Sequence, residues 1–203
     1  MSSGRSALSD PALALLEFDS IAAGIVAGDA MVKASPIGSI YAGTVHPGNY
    51  LVLVSGDTAS VEIALATGND VGGDQIADSV FLPDIHPAVT AAIVGNAPGA
   101  ALRDEALGVV ETATVAAVID AADAGVKAAD VMVSSIRLSD GLGGKGYVLF
   151  SGVIAEVEAA VEAAVARAAN HGTLIRSDVI AQLHEEMGQN LGDQLRFMKR
   201  VRG

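Results

Sequence analysis

Among the side chains able to do chemistry the histidines come first, because there are only four and one of them, His46, stands on a His-Pro-Gly turn just ahead of an uncharged β-type run. An imidazole can ligate a metal, move a proton, or donate and accept hydrogen bonds, so a histidine held on a tight turn invites each reading. The acidic residues are the second resource. They are scattered as helix caps and solvated faces, and neither a His-x-x-x-His spacing nor an Asp/His cluster occurs along the chain. No serine sits in a G-x-S-x-G elbow. The absence of cysteine removes a thiolate nucleophile, a disulfide framework and a cysteine-held iron–sulfur cluster together.

Glycine motifs point no more firmly to catalysis. The stretch GLGGKG satisfies G-x-G-x-x-G at Gly141, Gly143 and Gly146, but a dinucleotide fingerprint must open a helix and here the strand-like YVLF follows. A Walker loop fails as well. Ser139 stands where the first glycine is required, and Gly146 where a Ser or Thr must hold magnesium.

The elements that position these residues come in two copies. Residues 15–35 align without a gap with 109–129 at an offset of 94, matching Glu17 with Glu111, Asp29 with Asp123 and Lys33 with Lys127. Residues 48–65 then align with 144–161 at an offset of 96, and the two extra residues fall in the turn that holds His46 in the first copy. Finally 81–89 lies opposite 179–187 at an offset of 98, so that His86 faces His184. Each copy reads as strand, helix, strand, turn, strand, helix, strand, short helix. In the first copy 12–18 alternates as a strand and 20–34 has helical spacing behind a Ser20 cap. Residues 36–44 and 49–55 form a hairpin, and 57–68 is a second helix capped by Asp57 or Thr58. Asp29 and Lys33, like Asp123 and Lys127, share a helix face at i,i+4. The matched His86 and His184 each begin a last short helix, where a side-chain hydrogen bond at the helix start is the expected role.

Composition bounds the function. At 203 residues and 51% hydrophobic the chain can bury a real core, and with aromatics at 3% that core must be close-packed Ala, Val, Ile and Leu. A net charge of −12 argues against nucleic acid, whose phosphates require Lys/Arg patches. The charge is uneven: residues 11–105 carry 2 basic and 11 acidic residues while 106–203 carry 9 and 12, so the halves present different fields. The uncharged run 34–56 is long enough to span a bilayer, but Pro36, Pro47 and four glycines break it, and no membrane association is expected. The first residues, MSSGRSALSDP, lack the apolar region of a signal peptide, which gives a cytoplasmic expectation.

The segments GDAMVKA and ADAGVKA, each followed by a strand, together with GLGGKGYVLFSG, a Val-Glu-Ala-rich helix and a late V-I-x-x-x-H element, resemble the bacterial microcompartment shell domain, present twice. The resemblance covers about 12–93 and 106–187, with 1–11 a flexible N-terminus, 94–105 a Gly/Pro/Ala-rich linker and 188–203 a C-terminal tail that is basic at its end. The element order is that of the unpermuted tandem type, similar to the tandem shell proteins of propanediol-utilisation compartments. The fold so implied is α/β, an α+β sandwich in each half, with three chains forming a pseudo-hexamer. Such tiles pack edge to edge around encapsulated enzymes, which implies a structural and gating role rather than an enzymatic one, with other shell proteins as partners.

The resemblance also assigns sites. It places a lattice-edge lysine at Lys33 and Lys127, and it places the turn before the third strand at the symmetry axis, so that Val45, His46, Pro47 and Gly48, with Gly141, Leu142, Gly143 and Gly144, line a central pore. Some tandem members hold an iron–sulfur cluster through a cysteine at the position of His46, a ligation this chain cannot make. Three imidazoles on a threefold axis can instead bind Zn, Ni or Fe, or form a neutral hydrogen-bonding ring that passes polar metabolites. A turn histidine without a role is the third reading. One departure is plain. Many members carry Pro-Arg-Pro-His near the end of the domain, whereas here the residues are Pro83, Asp84, Ile85, His86 and Ala181, Gln182, Leu183, His184, and the missing arginine bears on edge packing and partner choice. Apart from the resemblance, a soluble duplicated α/β protein that binds a small ligand or metal at its centre remains the alternative.

Overall fold

The strand β1 (Ala12–Phe18) is buried at all seven positions, Glu17 included, because it is an inner strand covered on both faces. The computed structural model describes residue 8 and residues 10–95 and 106–192, so most of the linker and the end of the tail lie outside the described residues. After β1 come α1 (Ile21–Ala34), β2 (Ser39–Val45), β3 (Asn49–Gly56), α2 (Thr58–Gly72), β4 (Ile76–Leu82) and α3 (Pro87–Ile93). The second half repeats the order as β5 (Ala106–Thr112), α4 (Val115–Ala128), β6 (Met132–Leu138), β7 (Gly146–Gly152), α5 (Ile154–Asn170), β8 (Leu174–Ile180) and α6 (Glu185–Gly192). Each half is one four-stranded antiparallel sheet, β2-β3-β1-β4 and β6-β7-β5-β8, with its long helices packed on one face.

The helix starts follow from the expected caps. Ser20 accepts the Ala23 N–H, Asp57 rather than Thr58 accepts that of Ser60, and Thr114 takes the role of Ser20 in the second half. The second helix runs to Gly72, four residues past its expected end. In the second half α5 is two residues longer than α2, and this extra length carries the chain to His171.

The two cores place their large residues on opposite elements. In the first half Met31 of α1 shares a core cluster with Val54 and lies beside Gly68, where a Cβ would come within 2.5 Å of Leu16 and 2.8 Å of the Met31 sulfur. In the second half the counterpart of Met31 is Gly125, and the counterpart of Val54 is Phe150, whose ring would meet a Cβ on Gly125 at 2.4 Å. Close packing leaves room for one bulky group per layer, and each half places it on a different element.

Candidate functional site: the paired turns and the joint between the halves

The two hairpin turns lie side by side. The first closes through Gly48 N–H to Val45 O at 2.9 Å, with Gly48 at φ 144°. The second, 139–145, is built from left-handed residues, Ser139 at φ 54°, Gly141 at 75°, Gly143 at 66° and Gly144 at 96°, a run of conformations that explains its glycines. Ser139 Oγ donates to the His46 carbonyl at 2.8 Å, and a Cβ on Gly144 would lie 3.4 Å from Pro47 Cδ. Val45, His46, Pro47 and Gly48 are thus brought against the Gly141 to Gly144 turn across the boundary between the halves. The His46 ring is 69% exposed, and its Nδ1 stands 3.8 Å from Asp140 Oδ1. Among the described residues of one chain no group of three His, Cys, Asp or Glu side chains is placed to hold a metal.

The other sequence-selected residues take separate places. His86 Nδ1 accepts the Ala88 N–H at 3.2 Å and His184 Nδ1 accepts the Glu186 N–H at 3.3 Å, so both act at helix starts as expected from their matching positions. Lys33 pairs with Asp29 at 2.5 Å in open solvent. Lys127 makes the matching pair with Asp123 at 2.6 Å, but there Asp123 is buried, accepts the His86 N–H at 2.8 Å, and the Lys127 ammonium also donates to the Asp84 carbonyl. The same i,i+4 motif is a surface pair in one half and part of the joint between halves in the other.

That joint holds a polar cluster with no local signature in the sequence. The edge strand β4 and helix α3 of the first half pack on α4 of the second, and His171 is clamped between Asp78 (Nδ1 to Oδ1, 2.9 Å) and Asp120 (Nε2 to Oδ2, 3.2 Å). Arg167 adds a two-nitrogen contact to Asp120 at 2.8 and 3.0 Å, and the Thr114 hydroxyl donates to Asp78. Burial alone would lower the His171 pKa; the hydrogen bonds and charges of Asp78 and Asp120 outweigh it and hold the ring above its ordinary value. Glu17 lies alongside. Its carboxylate accepts the Val115 N–H at the start of α4 at 2.9 Å and an Asn49 amide N–H at 3.4 Å. Burial raises its pKa against those two hydrogen bonds, and the nearby charge of Asp78 raises it further. The pairing joins residues 93 and 51 apart in sequence, beyond any local motif. The one available signal is the second change of repeat offset, which marks the longer α5 that brings His171 in.

A duplicated four-stranded sandwich whose halves meet through a charged joint, with two aligned turns, defines a protein of two tandem repeats. The BMC domain model matches twice, over residues 12–85 and 106–183, and the chain belongs to the bacterial microcompartment shell protein family. It is 39% identical over 180 residues to the bacterial microcompartment shell protein PduT of Citrobacter freundii, covering 89% of this chain and 97% of that protein. The single-domain shell protein PduA of the same organism is 39% identical over 87 residues, 42% of this chain and 90% of its own length. Among solved structures, a microcompartment protein from Desulfitobacterium hafniense superposes with a TM-score of 0.77 at 36% identity, covering 89% of this chain and 99% of that one. A fused permuted hexameric shell protein of the RMM microcompartment gives a TM-score of 0.56 at 25% identity over 79% of this chain and 85% of that one. The expected α/β fold with two tandem shell domains is confirmed, and the protein is a structural tile of a microcompartment shell.

Proposed function

We propose that three chains close into a pseudo-hexameric tile whose central pore is lined by Val45, His46, Pro47 and Gly48 alternating with Gly141, Leu142, Gly143 and Gly144. The observation that carries this reading is the Ser139 to His46 contact, which sets the two repeat-related turns next to each other at one end of the joint, as neighbouring segments of a ring would be. The tile works by assembly and gating, without catalysis. Lys33 and Lys127 serve its outer edge, other shell proteins and encapsulated enzymes are its partners, and the cytoplasmic compartment shell is its location. His46 imidazoles from three chains meet at the axis, where they form a hydrogen-bonding ring for polar metabolites and a three-nitrogen site for Zn or Ni. No cysteine is available for an iron–sulfur cluster.

Light scattering of the purified protein tests this first: the expected mass is roughly three times 20.3 kDa, with sheets or tubes in electron micrographs at higher concentration. A monomer at every concentration refutes the tile. Replacing Lys33, whose partner Asp29 is exposed, by Asp should leave the fold intact and suppress the sheets, whereas an Asp at position 127 would also face the buried Asp123 and loosen the joint.

A further inference from the structure

The first sheet has an apolar groove on the face turned away from its long helices. Its volume is about 460 Å³, and it is lined by Leu8, Leu15, Leu51, Leu53, Ile93 of α3 and Leu138 of β6, while Leu16, Val52 and Val54 on the other face of the sheet pack with Met31 of α1. The rest of the lining is β2 itself, residues 41–45. That strand pairs with β3 on one side and, among the described residues, with no strand on the other, so a row of backbone N–H and C=O groups borders the groove. Natural sheets cover such edges, because an open one is a template for a further strand. An edge beside an apolar groove fits an extended segment that bonds its backbone to the strand and sets alternate apolar side chains into the groove.

The chain contains such a segment. Helix α6 ends at Gly192, and its Leu191 packs on the cluster of Leu107, Leu149 and Leu183, which Tyr147 of β7 also borders. Tyr147 in turn pairs with Arg137 of β6, the residue before Leu138 of the groove. One strand spacing and a few residues therefore separate that cluster from the groove, on the order of 15 Å. The eleven residues that follow, 193–203, lie outside the described residues. Fully extended, a segment of that length reaches about 36 Å. Its order is DQLRFMKRVRG, in which Leu195, Phe197 and Val201 alternate with Arg196, Arg200 and Arg202, with Lys199 the exception on the apolar side. That is the period of two of a strand with one apolar and one basic face. Charge favours the first half as its seat, since residues 11–105 carry 2 basic and 11 acidic residues.

We propose that the C-terminal tail adds to β2 of its own chain as a fifth strand of the first sheet, with Phe197 in the groove and the three arginines turned to solvent. The contact lies within one chain and stands whether or not three chains close into a ring.

Hydrogen exchange of the full-length protein, read over Ser39–Val45, tests this. The outward amides of β2 in the wild type should exchange at least about 10-fold more slowly than in Phe197→Asp, whereas Met198→Asp, on the opposite face of the added strand, should match the wild type. Covalent trapping is the second measurement. The chain has no cysteine, and a Cβ on Gly43 meets nothing within 4 Å, so oxidation of the Gly43→Cys, Phe197→Cys double variant should close a disulfide within one chain, and the Gly43→Cys, Met198→Cys pair should not. Equal exchange in wild type and Phe197→Asp overturns the proposal. Equal loss of protection in the two tail variants overturns the added strand, because a helical tail would place Leu195 and Met198 on one face. A disulfide that joins two chains gives the groove to the tail of another copy and overturns the seat within the chain, and so does protection that appears only when a different protein is added.

Discussion

The joint and the paired turns lie close together in the fold but use charge in opposite ways. At the joint His171 is nearly enclosed, its two nitrogens taken by Asp78 and Asp120, whereas at the turns His46 stands in solvent with Asp140 just beyond hydrogen-bond distance. The difference shows where a polar group in this chain is needed for stability. A buried acid without a counter-charge is expensive, so each member of the joint cluster depends on the others. An exposed imidazole is already solvated and adds little to the folded state. The turn is thus free to vary for function while the joint is not.

The sharpest way to break this contrast is to remove the imidazole at the joint. His171→Ala leaves Asp78 and Asp120 facing each other across a gap, and the expected loss is about 3 kcal/mol of unfolding free energy at pH 6, read by urea denaturation. The pH dependence has a definite sign. The folded-state pKa of His171 lies above the unfolded value, so its contribution is complete below roughly pH 6.5 and is lost as pH rises through the folded value. The gap between wild type and His171→Ala should narrow as pH rises above neutrality. A gap that stays constant there means that the imidazole is already neutral in the folded state.

Glu17→Gln is the gentler probe, since the amide keeps an oxygen to accept the Val115 N–H. The folded state holds the Glu17 proton more tightly than the unfolded chain does. Wild type should therefore lose stability as pH rises through the interval between the ordinary carboxyl value and the raised one. Glu17→Gln removes that slope and should be the more stable protein at neutral pH. Parallel wild-type and variant curves from pH 4 upward show that the carboxylate is fully compensated where it lies.

The joint and the turns are unequally legible in the sequence. The repeat offsets, the Ser20 and Asp57 caps, the hairpin and the matched roles of His86 and His184 follow from local chemistry, so the order of residues is enough to reveal them. The burial of α4 is not legible in this way, because α1 and α4 share length and spacing and differ in cover only through what another part of the chain lays on them. His171 is hidden for the same reason: its partners come from β4 and α4, and only folding brings three separated segments to one point. Local pattern specifies an element and its face, while the neighbour on that face is a tertiary fact.

The smallest structural effect is expected at His46, and this makes it the most informative site for function. Its backbone carbonyl, not its ring, accepts the Ser139 hydroxyl, so His46→Ala keeps the contact between the two turns. The unfolding free energy should change by less than about 0.5 kcal/mol, as for other exposed positions. Any strong effect of the same variant must then come from what the ring does in the assembled tile. Titrating wild-type protein with Ni or Zn should show one ion per three chains, and His46→Ala should abolish it, whereas His86→Ala should not, because His86 is committed to the start of α3. Binding at one ion per chain would place the site within a single protomer and remove the axial reading of His46. Absence of binding removes the metal role, and passage of small polar solutes through assembled sheets, compared between wild type and His46→Ala, then tests the proposed pore role.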